Sequence, residues 1–196
     1  MSTGDAPARP GIPVARGLTY DDLAAMPEPG VDGLRKELID GELYVSPSPV
    51  VGHQRASGAI FVALHRYAQV HGGLALQAPM DVVFAPSTVV QPDVLYLAAS
   101  SAAAVPDDDV VHVAPDLVVE VSSPSTRRLD LIKKRRLFER QGVPEYWFVD
   151  LEAEVVDVHR LDTTGHYGDV ETVGGDDTLS CLAAPGFELS VTEALG

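Results

Sequence analysis

The chain has 196 residues, 45% of them hydrophobic, and a formal charge of −15, enough length and apolar content for one domain with a real core. No apolar run approaches the roughly 18 residues a membrane span needs, and a single cysteine, Cys181, excludes an internal disulfide or a cysteine-based zinc cage. So large an acidic excess argues against a surface built to coat nucleic acid.

Residues Met1 to Gly17 are rich in Pro, Ala and Gly and have neither a signal-peptide pattern nor an apolar core. They are expected to form a disordered tail before a single domain over 18–196, with the cytoplasm as the default compartment. Thr19 and Asp22 form a capping box for a short helix, Tyr20 to Ala25, stopped by Pro27 and Pro29. Glu37 to Val45 is a hairpin turning at Asp40-Gly41. His53 to Val70 carries Ala56, Ile60, Ala63, Leu64 and Tyr67 at helical spacing and ends at Gly72-Gly73. Strands are expected over Ala75 to Phe84, Val89 to Leu97 and Leu117 to Val121, with an Ala/Asp-rich loop, Ala98 to Asp109, before the last. A helix, Leu129 to Gln141, closes at Gly142; Tyr146 to Val149 is a buried strand; Val155 to Leu161, Tyr167 to Val173 and Thr178 to Leu182 form a β meander. This order predicts an α/β or α+β domain on a central sheet, with a C-terminal β extension from about residue 151.

Charge is unevenly placed. From Glu145 to Gly196 there are 12 acids and one basic residue, Arg160, whereas Arg127 to Arg140 holds seven of the chain's 14 Lys and Arg residues. Just upstream, Glu120 interrupts the apolar strand Leu117 to Val121. An ionised carboxylate buried there costs several kcal/mol unless a cation or metal compensates. Asp93 breaks a second apolar strand after Pro92, and Ser122 leaves the sheet at a Ser-Ser-Pro-Ser turn. At 100° per residue, Lys134 falls in the apolar sector of its helix with Leu131, Leu137 and Phe138, while Lys133, Arg135, Arg136 and Arg140 fall outside it. Two acids on adjacent strands and one inward lysine compose a metal site with a charged assistant. Hard oxygen ligands suit Mg²⁺ or Mn²⁺, which keep waters and accept substrate phosphate.

Pro92-Asp93, Glu120-Val121-Ser122 and Lys134 together resemble the PD-(D/E)XK nuclease superfamily, in a variant whose lysine has moved from strand to helix. The segments Glu37 to Glu42, Gln91 to Val94, Pro115 to Thr126 and Gly142 to Trp147 are similar to one large bacterial group within it, restriction-endonuclease-like proteins of unknown role. The resemblance implies a mixed central sheet flanked by helices and metal-dependent hydrolysis of phosphodiester bonds in nucleic acid, most simply DNA. It implies Asp93 and Glu120 as metal ligands and Lys134 as their catalytic partner, with Glu37 and His53 as auxiliaries. Ser122, also an auxiliary candidate, stands where the superfamily has lysine. Arg127, Arg128 and Lys133 are the candidate contacts to the nucleic-acid backbone.

Two other readings compete. The −15 charge favours a catalytically silent interaction module on the same fold. A glycosidase with paired carboxylates would leave Lys134 and the basic stripe without a role. A homodimer through an open strand edge is compatible with the pattern.

Overall fold

The structure, a computed structural model, describes residues 13–26, 34–123 and 127–196. Most of the expected tail, the Pro27 and Pro29 stop and the end of the Ser-Ser-Pro-Ser turn lie outside them. Residues 13–17 are not tail: the Val14 N–H donates to Leu43 O at 2.8 Å, the Leu43 N–H to Ala15 O at 2.9 Å, and Ala15 packs on Leu38, Leu43 and Val89.

Helix α1 (Tyr20–Ala24) opens with the Thr19/Asp22 capping box. Strands β1 (Leu34–Ile39) and β2 (Glu42–Pro47) form the hairpin. Both turn residues take positive φ, 53° at Asp40 and 76° at Gly41, the combination that Asp-Gly tolerates and that matches the strands' twist. The long helix α2 (Val51–His71) follows. Next come β3 (Leu74–Gln77), β4 (Val82–Ala85), β5 (Thr88–Val90), β6 (Val94–Leu97), a turn of helix α3 (Ala99–Ala102) and β7 (Leu117–Val121). A π-helical stretch, Leu129–Lys134, leads into α4 (Arg135–Arg140) and β8 (Glu145–Asp150). The chain closes with β9 (Val155–Arg160), β10 (Glu171–Gly174), β11 (Thr178–Cys181), β12 (Ala184–Ser190) and α5 (Val191–Leu195).

Two of the expected strands are each two strands. Ala75 to Phe84 divides into β3 and β4, and Val89 to Leu97 into β5 and β6. In each case one half belongs to a six-stranded sheet, ordered β10-β9-β8-β7-β6-β3, and the other to a four-stranded sheet, ordered β2-β1-β5-β4. Pro92 has no N–H for a ladder, and the segment Gln91-Pro92-Asp93 is where the chain passes from one sheet to the other. The C-terminal hairpin β11-β12 stands as its own sheet. Residue 167, expected in a strand, makes only an isolated bridge to Leu161.

In the six-stranded sheet only β7 and β8 run parallel, joined through α4 as a β-helix-β crossover requires. Alternation along β7 sends Val119 and Val121 to the face covered by Ile60 and Leu64 of α2 and Ala194 of α5. Val118 faces the opposite way, onto Leu137 and Phe138 of α4 and Phe148 of β8. Burying each such side chain contributes about 1.5–3 kcal/mol, and the two-sided core explains why β7 is apolar at every position but Glu120. Among the described residues no helix is long and apolar enough to cross a membrane.

Candidate active site

Antiparallel pairing of β6 with β7 matches Val94 to Val119, so the next residues out, Asp93 and Glu120, stand opposite each other where the ladder ends. The Val121 N–H donates to Asp93 Oδ2 at 2.8 Å. His53, in the first turn of α2, places Nε2 2.9 Å from the same oxygen, and Arg35 Nη1 lies 2.8 Å from Oδ1. Arg35 and Asp93 thus form a close ion pair, while among the described residues His53 Nδ1 is buried without a partner. Burial opposes ionisation of Asp93, but the His53 hydrogen bond and the Arg35 charge prevail and hold its carboxyl well below the usual range.

Lys134 is 1% exposed, which agrees with its place in the apolar sector of the helix. Its Nζ lies 2.8 Å from Glu37 Oε1, 2.9 Å from Glu120 Oε1 and 3.8 Å from Asp130 Oδ1. Its helix begins with wider π-helical turns, a geometry that recurs at functional sites. Burial alone would drive the ammonium toward neutrality; Glu120, Glu37 and Asp130 outweigh it and raise the pKa, so Lys134 stays charged. Burial pushes Glu120 well up, Lys134 pulls it down, and the charges of Asp93, Asp130 and Glu37 push it further up. Glu120 and Lys134 thus both hold protons more firmly than usual. The crowded acids push both upward, adding to burial at Glu120 and opposing it at Lys134.

Glu37, His53, Asp93, Glu120, Asp130 and Lys134 line one cleft of about 150 Å³, together with Arg35. Four carboxyl groups share it with two permanent cations, an excess of two acids. That imbalance fits a divalent cation of the Mg²⁺ type. Among the described residues no three His, Cys, Asp or Glu side chains form a ready-made cage. An ion that binds through one or two carboxylates and keeps its waters needs none; Asp93 and Glu120 are the residues that could hold one.

The remaining candidates divide. Glu37 and His53 are in the cleft. Ser122 is absent from its lining: its hydroxyl accepts the Leu151 N–H at 3.0 Å, tying β7 to the end of β8, and Ser123 lines the cleft instead. Arg127 is committed to Asp150 at 2.6 Å and lies over the Phe148 ring. Lys133 pairs with Glu42 at 2.8 Å and with the Tyr44 hydroxyl. Arg140 pairs with Asp40 at 2.8 Å. Four of the stripe's seven cations, Lys134 included, thus lie beside acids of the chain, while Arg128 and Arg136 are exposed. Sequence reasoning missed Arg35 and Asp130. Arg35 sits two residues before Glu37, on the same face of β1, and Asp130 sits four before Lys134 on the helix. Both spacings are visible in the sequence.

A family model for Uma2, described as “Putative restriction endonuclease”, matches residues 20–192. Among solved structures, the chain is similar to an Anabaena variabilis ATCC 29413 protein described as “a putative nuclease belonging to DUF820”. The TM-score is 0.75 at 18% identity, over 91% of this chain and 97% of that one; the likeness is one of fold, restriction-endonuclease-like. No curated protein matches.

Proposed function

The chain belongs to the Uma2 family, and we propose that it is a Mg²⁺- or Mn²⁺-dependent endonuclease hydrolysing phosphodiester bonds in DNA. The observation that carries this reading is the convergence of Asp93, Glu120 and Lys134 in one acid-rich cleft. A divalent ion on Asp93 and Glu120 would supply an acidified water and offset charge on the phosphoryl oxygens. The chain's own residues set the stage for that chemistry. His53 and the Val121 N–H fix the Asp93 carboxylate in one orientation. Lys134 holds Glu120 in place, and as a permanent ammonium it has only hydrogens to donate. It therefore orients the attacking water and stabilises the developing negative charge, and does not act as the base.

A second reading has one observation in its favour. The pairing of Arg127, Lys133 and Arg140 with internal acids leaves few cations to grip a duplex, as a silent interaction module would have it. Incubation of supercoiled plasmid and of single-stranded DNA with Mg²⁺, Mn²⁺ or EDTA at low salt separates the two. The nuclease reading expects metal-dependent cutting by the wild type and a loss of at least ~10³-fold in Glu120→Gln, since several kcal/mol of charge stabilisation go with that carboxylate. No cutting by well-folded wild-type protein would favour the module, and equal cutting by both proteins would discard the site.

A further inference from the structure

A second cleft, of about 250 Å³, adjoins the first and shares Arg35, His53 and Asp93 with it. Its chemistry differs. Leu34, Pro47, Pro49 and Pro79 give it apolar walls, and its polar edge carries the carboxamides of Gln54 and Gln77. The other large polar groups there are engaged: Gln91 Nε2 donates to Asp81 Oδ1 at 2.8 Å, and Arg35 serves Asp93. Gln54 is exposed on the first turn of α2. Among the described residues the Gln77 carboxamide has one contact, 3.5 Å to the Ser57 hydroxyl, at the outer limit of a hydrogen bond.

We propose that this cleft is a subsite for one unpaired nucleobase next to the phosphodiester being cut, so that the substrate is single-stranded or locally opened nucleic acid. The inference rests on the nuclease reading and specifies its substrate. Apolar walls with a carboxamide edge match a base, which has apolar faces and a hydrogen-bonding rim. Glutamine presents a donor and an acceptor side by side, the pattern that pairs with an adenine edge. A cleft of this size admits one ring system and not a duplex, so the base must leave its stack to enter. The charge distribution points the same way. With a net charge of −15 and Arg127, Lys133 and Arg140 each beside an acid of the chain, fewer cations are left for phosphate contacts. Holding a base next to Asp93 would provide the grip that this surface lacks.

Two end-labelled fluorescent oligonucleotides test this, one a wholly abasic tract and the other the same tract with a single adenine. Both are titrated with protein at low salt in EDTA, where metal-dependent cutting does not intervene. The subsite predicts that one base tightens binding about tenfold, the effect of one good bidentate contact. It also predicts loss of the gain in the double variant Gln54→Ala/Gln77→Ala. Equal wild-type affinity for the two tracts, or no binding of either, would overturn the proposal whatever the variant does. Plasmid cutting in Mg²⁺ alongside equal affinities would remove the subsite and leave the nuclease standing. Base-dependent binding by a protein that cuts nothing would support the subsite and remove the hydrolysis.

Discussion

Two buried carboxylates on neighbouring strands, Glu120 of β7 and Glu145 of β8, have opposite characters. Glu145 is 0% exposed and its oxygens are satisfied one by one. Oε1 accepts the Trp147 indole N–H at 2.7 Å, Oε2 accepts the Leu182 N–H at 2.7 Å, and Arg160 Nη2 stands 3.4 Å from Oε1. It joins β8, β9 and the β11-β12 hairpin around one acid. Glu120 is equally buried, but it shares one ammonium with Glu37 and Asp130 and lines a cleft. A buried acid therefore signals little by itself. What separates a structural acid from a candidate catalytic one is whether its own donors complete it, or whether neighbouring acids compete for a single cation beside an opening.

The largest effect that would sharpen this contrast comes from Lys134→Met. It leaves Glu37 and Glu120 facing each other without their ammonium, and breaking such a buried set costs about 3–5 kcal/mol. Urea unfolding should show that loss, together with loss of any cutting; a neutral substitution would mean the acids do not depend on Lys134. Glu145→Leu comes next, at about 3 kcal/mol, because it leaves the Trp147 and Leu182 N–H groups without an acceptor. Its metal response at the Glu120 cleft should be unchanged, and an altered one would dissolve the distinction between the two acids.

The smallest effect is a pH trend at His159, which stacks on Tyr146. Burial, then the charge of Arg135, lowers its pKa from 6.5. The unfolded chain thus binds the proton more readily, so the stability His159 contributes is present above about pH 6.5 and is lost as pH falls through the lowered value. Thermal melts of the wild type and His159→Phe should diverge in slope below that point, and parallel slopes would contradict the assignment.

The parts of this site that were legible in sequence share a cause. β7 is covered on both faces, so its other four residues are apolar and Glu120 stands out among them. Lys134 keeps its inward place although its turn is π-helical, because Leu137 and Phe138 anchor the helix that follows. The division of β3 from β4 and of β5 from β6 was hidden, since the segments on both sides of each break are apolar and pack into sheets. β12 and α5 were hidden too: alternation is imperfect along β12, and α5 is only five residues long. The pairing of the basic stripe with Asp40, Glu42 and Asp150 joins residues far apart in the chain, which no local pattern displays.

The most direct test of the central claim is calorimetric titration of Mn²⁺ into the wild type and Glu120→Gln at neutral pH. A metal site on Glu120 requires saturable binding by the wild type and its loss in the variant, with the variant's melting temperature unchanged or raised because one of the crowded acids has been replaced by a neutral amide. Equal binding by both proteins, or none by the wild type, would contradict the assignment of this cleft as a metal-dependent active site.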